Sequence, residues 1–231
     1  MRLSAEGEAF LRYCQKACEL ESVTLGEISG THARSIVDLT LAGPTSIVTS
    51  RIIPACLDLY REFPNLLLSY RLGDRENRAQ LLKKGVVQLA ILSPADVVLE
   101  MDSKLLKPDR YVLVASAKWR GRRTAEIVRN ERILNYDDSD ETTRNNLRAY
   151  DLHTHSRRER IFANTNFALI TLLKAGVGYG TLSAEVAEES VARGDLIVLN
   201  QRKVFEDPQA LAWSLRREMP PYFRRVIDSI R

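Results

Sequence analysis

The chain has 231 residues, of which 45% are hydrophobic, 7% aromatic and 28% charged, a balance that supports a packed core and excludes a disordered or low-complexity protein. Its 34 basic and 30 acidic residues leave a formal charge of +4, too mild and too dispersed to identify a DNA-binding surface by itself. No apolar run approaches the roughly 20 residues that span a bilayer, the opening MRLSAEGEAF lacks the apolar stretch of a signal peptide, and the three cysteines do not suggest a disulfide framework; the expected compartment is the cytoplasm.

Residues 3–28 read as one long helix. Leu11, Cys14, Cys18, Leu25 and Ile28 fall at the alternating three and four spacing of a single apolar stripe in which Glu21 occupies the missing position, and such a stripe needs a partner surface. The segment 1–31 is therefore expected to be a dimerisation helix that pairs with a second chain, with packing on its own domain as the alternative. Cys14 and Cys18 stand four apart, but no further cysteine is near and the nearest histidine is His32, so no metal site is expected.

A strand over 35–41 leads into a helix whose apolar face is Ile47, Ile52, Ile53, Cys56, Leu57 and Tyr60, with Pro44 near its start and Pro54 inside it. A strand at Leu66–Leu72, a helix around 76–84 and the continuously apolar strand VQLAIL over 87–92 follow. This alternation predicts a mostly parallel sheet covered by helices on both faces. Strands are expected near 98–106 and at Tyr111–Ala115. The pattern then repeats with a strand at 133–136, a helix at 142–150, a strand at 160–163 and a helix opening at Thr165. The glycines of AGVGYG, Gly176, Gly178 and Gly180, predict a turn and close strand contact. A helix at 184–193, strands at 196–200 and 210–216 and a helix at 222–230 complete two α/β lobes, and the cleft between such lobes is the default ligand site.

The opening LSAEGEAFLRYCQKACELE, the stretch IIPACLDLYREFPNLLLSYRLGDRENRAQLLKKGVVQLAIL and YVLVAS resemble, in order and spacing, the linker helix and regulatory lobes of LysR-type transcription regulators. YDDSDE, NTNFALITLLKAGVGYGTLS, EVAEESVARGDLIVLN and ALAWSLR look most like the members that respond to lysine or arginine, although Ser183 stands where a proline is common. The resemblance implies a two-lobed α/β fold of the type 2 periplasmic-binding-protein kind. It places lobe I at 34–115 and 206–231 and lobe II at 116–205. It also implies a homo-dimer or homo-tetramer, a basic amino acid effector, and promoter DNA bound only through an N-terminal winged helix-turn-helix that this chain does not carry. A headless regulator and an amino acid solute-binding protein are the alternatives.

An amino acid effector asks for hydroxyl and amide donors at its carboxylate and for carboxylates at its cationic end. Thr45 and Ser46, at the head of the first domain helix, and Asn164, Thr165 and Asn166, before a later one, are candidates for the first role; a plain helix cap is the alternative for each. Asp137 and Asp140, in a run with Asp138 and Glu141, are candidates for the second, with Asp137 preferred because it is nearest a strand end. Capping by Asp140 and solvent exposure of the rest is the alternative. Ser93 and Asp96 are weaker candidates at the matching edge of lobe I. His153 and His155 make no catalytic or metal-binding constellation, and no catalytic motif, cofactor or membrane partner is expected. The short basic runs WRGRR (119–123) and SRRER (156–160) read first as solvated surface, with phosphate contact as the alternative.

Overall fold

The computed structural model describes residues 4, 6–7, 10, 13–14, 17, 36–73, 77–199, 203–216 and 218–231. Of the amino-terminal stripe, Cys14 is helical and partly buried. Leu11, Cys18, Leu25 and Ile28 lie outside the described residues. The chain divides into two compact units, Met1–Lys107 with Pro208–Arg231, and Pro108–Asp207.

The first unit is built on a sheet of β1 (Val37–Gly43), β2 (Leu66–Leu72), β3 (Leu89–Leu92), β4 (Met101–Leu105) and β11 (Ala210–Ser214), in the order β2-β1-β3-β11-β4. β1 runs parallel to β2, with Val37 opposite Leu66, and parallel to β3, with Leu41 opposite Leu89. β11 is antiparallel to β3 and β4. Alternate residues of β3 enter different cores: Leu89 and Ile91 join Leu41, Ile52 and Phe223, while Ala90 and Leu92 join Leu82 and Val87. Burial on both faces is why this strand reads as an unbroken apolar run.

After β1 the chain turns into α1 (Thr45–Ile47), a π turn Val48–Ile52, α2 (Ile53–Cys56) and α3 (Leu59–Glu62). Pro54 has no amide hydrogen, and its ring presses on the carbonyl four residues earlier. The wider π turn lies just before it, and the segment remains helical through Cys56. The Thr49 and Ser50 hydroxyls donate back to the Thr45 and Ser46 carbonyls at 2.7 Å each. Ile47, Ile52 and Cys56 are buried as expected, but Leu57 and Tyr60 are 58% and 41% exposed and face outward. α4 (Arg78–Lys83) covers the other face of the sheet and is capped by Asn77, which accepts from the Gln80 amide at 3.0 Å. The carboxyl-terminal α9 (Pro221–Ser229) packs beside the first helical run through Phe223, Val226 and Ile227.

The second unit holds β5 (Asp109–Ser116), β6 (Arg132–Asn135), β7 (Arg160–Phe162), β8 (Gly178–Ser183), β9 (Leu196–Val198) and β10 (Val204–Asp207), in the order β10-β5-β8-β6-β7 with β9 also on β5. α5 (Thr124–Asn130) and α6 (Thr142–Ala149) cover one face through Ile127, Val128 and Leu147. α7 (Asn166–Ala175) and α8 (Ala184–Ala192) cover the other through Leu169, Leu173 and Ala187. The expected boundary at 115/116 falls inside β5, which bonds to β8, β9 and β10 of this sheet. The crossings therefore lie at 107/108 and 207/208. α5 and β10 are elements the sequence pattern does not announce.

Most consequential is β8, which the glycine-rich sequence suggests only as a turn and close contact. Gly176 ends α7 in the left-handed region, φ 80°, as its expected turn requires. Gly178 and Gly180 then lie in the strand itself. A Cβ on Gly180 would sit 2.5 Å from the Leu134 carbonyl oxygen, and one on Gly178 would collide with that of Arg132. The two glycines thus let β8 press against β6. Gly180→Ala forces two backbones apart, and the expected loss is about 1–3 kcal/mol of unfolding free energy, read from urea denaturation; a variant as stable as the parent would contradict this packing.

Candidate functional site

Each sheet contains a strand that is flanked on both sides by later parallel strands, β2-β1-β3 in one unit and β7-β6-β8 in the other. Connections leave such a strand in opposite directions, and the gap they open at its carboxyl end is where α/β proteins place ligands. In the first unit this edge carries the turns after β1 and β3, hence Thr45 and Ser46, and Ser93 and Asp96. In the second it carries the turns after β6, β7 and β8, hence Asp137 and Asp140, Asn164–Asn166, and Ser183 with Glu185.

Thr45 and Ser46 occupy the first turn of α1, and the cap position itself belongs to Pro44, which offers no side-chain bond. Neither hydroxyl residue is therefore the N-cap. Ser46 is 9% exposed, and Gly43 before it admits no side chain, since a Cβ there would lie 2.6 Å from Val48 Cγ2. Ser93 precedes a single 3₁₀ turn, Pro94–Asp96, and its carbonyl accepts the Asp96 amide at 2.9 Å. The Asp96 side chain is exposed.

In the second unit the acidic run is a structured turn. Asp137 Oδ1 accepts from the Ser139 amide and hydroxyl, both at 2.9 Å, and from the Asp140 amide at 3.0 Å. Asp140 uses both carboxylate oxygens on the backbone, Oδ2 for the Tyr136 amide and Oδ1 for the Thr142 amide, each at 2.9 Å. It therefore ties the end of β6 to the start of α6. Glu141 takes Arg144 at 3.0 Å and Arg160 at 3.7 Å, and Arg160 also donates to the Asp138 carbonyl at 2.9 Å. The like-charge crowding seen in the sequence is offset at home by amides and arginines. Thr165 is the N-cap of α7 and accepts the Ala168 amide at 3.2 Å; Asn164 is exposed and Asn166 partly buried.

Sequence reasoning missed a polar layer beneath this edge. Asn135 Oδ1, both amide atoms of Asn146, Tyr179 Oη and Thr181 Oγ1 are buried with no hydrogen-bond partner among the described residues. Burial alone pushes the Tyr179 phenol above its ordinary range. Asn135 and Asn146 are 1% and 0% exposed, and the Thr181 amide donates to Thr143 of α6 at 3.1 Å. Unpartnered buried polar atoms each cost about 1–3 kcal/mol, so this seam between α6 and the sheet is the least satisfied part of the unit. Only the mixture of Asn and Thr on otherwise apolar faces signals it in the sequence.

A separate cavity of about 370 Å³ lies in the first unit among Glu62, Phe63, Met219 and Arg225, bridged by the Arg225–Glu62 ion pair at 3.0 Å. It is formed by α3 and the start of α9 and does not include the carboxyl-edge residues. Among the described residues, no group of three or more His, Cys, Asp or Glu could hold a metal, and no helix is long and apolar enough to cross a membrane.

The two sheets and their polar carboxyl edges define a two-lobed α/β ligand-binding protein of the periplasmic-binding-protein-like kind. Residues 37–231 match the LysR substrate binding domain, and the chain belongs to that family, as the effector-binding domain of a LysR-type transcription regulator rather than a catalytic domain. Full-length LysG from Corynebacterium glutamicum with bound effector Arg has a similar fold, with a TM-score of 0.77 at 20% identity over 99% of this chain and 78% of that one. ArgP from Mycobacterium tuberculosis gives 0.80 at 20% identity over 99% and 77%. The C-terminal domains of a LysR family protein from Agrobacterium tumefaciens give 0.69 at 16% identity over 84% and 96%. No curated protein sequence matches the chain.

Because Asp140 joins β6 to α6 through two charge-assisted bonds, Asp140→Ala is expected to lower the unfolding free energy by about 2–4 kcal/mol, measured by thermal or urea denaturation without ligand. Unchanged stability would mean that this carboxylate is not structural.

Proposed function

We propose that this domain senses a basic amino acid, L-arginine or L-lysine, and that it does so in the cytoplasm, where a transcription regulator meets its promoter. The observation that carries the reading is the acidic turn 137–140 at the carboxyl end of β6, where the strand order reverses. Carboxylates gathered there suit an ammonium or guanidinium group, with Asp137 the leading contact and Asp140 a supporting one. The hydroxyls of Thr45 and Ser46 suit an α-carboxylate, as do Asn164, Thr165 and Asn166 at the head of α7; Ser93 and Asp96 complete the set. The bound arginine of the C. glutamicum relative supports the same ligand class.

The regulator is further proposed to act as a homo-oligomer. β2 is the outer strand of its sheet, Leu67 and Leu72 on it are 50% and 45% exposed, and Leu57 lies outward on the neighbouring helical run. Tyr60 is tied to this edge by its hydroxyl, which donates to the Leu68 carbonyl at 3.2 Å. An exposed apolar edge strand invites association, and a second copy of this chain is the proposed occupant, in a dimer or tetramer.

Isothermal titration of the chain with L-arginine and L-lysine, against L-leucine and L-glutamate, tests the first proposal: saturable heat is expected for the basic ligands alone. Asp137→Asn keeps Oδ1 for the turn but removes the charge, so affinity is expected to fall about 10- to 100-fold with stability unchanged. Selective binding of leucine or glutamate, or an Asp137→Asn variant that binds as the parent does, would sink the assignment. For the second, sedimentation equilibrium of Leu67→Glu is expected to give a lower mass than the parent; equal masses would remove β2 from the interface.

A further inference from the structure

The formal charge of the chain is concentrated in one place. Residues 118–132 and 151–159 hold eight basic and four acidic side chains, a surplus equal to the +4 of the whole protein, so the other residues balance 26 against 26. The two segments are distant in sequence but meet at the amino-terminal edge of the second unit's sheet. α5 packs against the 3₁₀ turn His153–His155, Arg157 donates to the Asn130 carbonyl at 3.1 Å, and the Ile133 amide donates to the Glu159 carbonyl at 3.2 Å. Arg122, before α5, reaches Glu131, after it, at 2.8 Å, which lays the helix along this edge.

The acids of the patch are already used. Glu126 and Glu131 are held by Arg122 at 3.0 and 2.8 Å, and Arg157 holds Glu159 at 2.8 Å, keeping that carboxyl down at about 2. Asp151, in the left-handed region at φ 58°, is the remaining acid. Arg120, Arg123, Arg129, Arg132 and Arg158 are all exposed, and no ion pair, side-chain hydrogen bond or ring contact joins any of them to another described residue. Cations left without partners on one surface are suited to an anion from outside.

Two classes of polyanion could neutralise them, an acidic protein surface or a nucleic acid. A protein interface is built round an apolar core with a polar rim, whereas none of the protein's exposed large apolar residues falls within 118–132 or 151–159. The nearest aromatic, Trp119, is covered by the Arg122 guanidinium at 5.1 Å. A purely cationic, apolar-poor surface matches the phosphate backbone of duplex DNA. From Arg123 to Glu131 the α5 turns span roughly 12 Å, a length over which a duplex carries about seven phosphates on its two strands together. We propose that this arginine edge of the second lobe is a sequence-independent contact for the DNA backbone, separate from any DNA-reading domain of the regulator.

The test is fluorescence anisotropy of a labelled 30-base-pair duplex of arbitrary sequence, titrated with the 231-residue chain over a range of salt. Five neutralised phosphates give a slope of log K against log salt near −4.5, or about a 500-fold loss of affinity between roughly 50 and 200 mM. Replacing Arg120, Arg123, Arg129, Arg132 and Arg158 by Gln is expected to abolish binding. Arg120→Gln with Arg158→Gln, both in loops and so without risk to the fold, is expected to make the slope shallower by about 1.8. Arg61→Gln with Lys83→Gln and Arg224→Gln, exposed on the first unit, is expected to bind as the parent does. No binding at low salt, equal loss in the first-unit control, or an unchanged slope in the double variant would overturn the proposal. Tighter binding of polyglutamate than of the duplex at matched salt would do the same and assign the edge to an acidic protein.

Discussion

The parallel pairing of one early strand with two later ones is the constraint on which both units depend. A strand joined to a parallel neighbour must be reached by a crossover over the sheet face, and crossovers of one hand that travel in opposite directions along the sheet cover opposite faces of it. β1 sits between β2 and β3, with the helical run after β1 on one face and α4 on the other, and β6 sits between β7 and β8. Within each unit the carboxyl ends of these parallel strands open on one edge, and polar turns gather there without any pairwise attraction between them. Close approach of the strands follows as a secondary demand. Gly180 meets it where β8 lies against the backbone of β6, and Gly43 meets it where β1 gives way to α1 beneath Val48 and Ile91.

The sequence reveals those parts of this plan where burial is two-sided or a cap is local. β2 coincides with its expected range at Leu66–Leu72, β3 lies within its apolar run, and Thr165 caps α7. The fold class and the repetition of one α/β pattern were legible for the same reason. β8 was not, because the glycines that let it sit in the centre of a sheet have poor strand propensity when judged alone. α5 has only two fully buried apolar residues, Ile127 and Val128, too few to show a helical period among arginines. Leu57 and Tyr60 extend the apolar face of a helix on paper, but the π turn before Pro54 alters the helical phase ahead of them, and both emerge on the surface.

At the candidate site the residue types were readable and their loads were not. Asp137 and Asp140 are one chemical type three positions apart, yet Asp140 commits its two oxygens to two separate backbone amides while Asp137 Oδ1 gathers two amides and a hydroxyl of the turn. That difference comes from the turn closing on itself and cannot be had from spacing. The unpartnered Asn146 amide was hidden too, since an asparagine on a helix reads as exposed until the sheet beneath it is known.

The second unit sets an acidic turn and an arginine edge at opposite ends of the same strand, β6 starting at Arg132 and leading into Asp137. Four residues of strand separate the ends by roughly 13 Å, at which two unit charges in water interact by only about 0.3 kcal/mol. That distance also exceeds the roughly 8 Å over which physiological salt screens exposed charge. Opposite charges so placed neither quench one another nor pass a signal by field alone. Any influence of a ligand at the carboxyl edge on a partner at the amino edge must therefore travel through packing. The seam of Asn135, Asn146, Tyr179 and Thr181 between α6 and the sheet lies between them and holds buried polar atoms without partners among the described residues, each of which lowers the stability of that contact. Asp140 holds the Tyr136 and Thr142 amides together, so the acidic turn, the end of β6 and the start of α6 are mechanically one piece, and α6 meets the sheet at that seam.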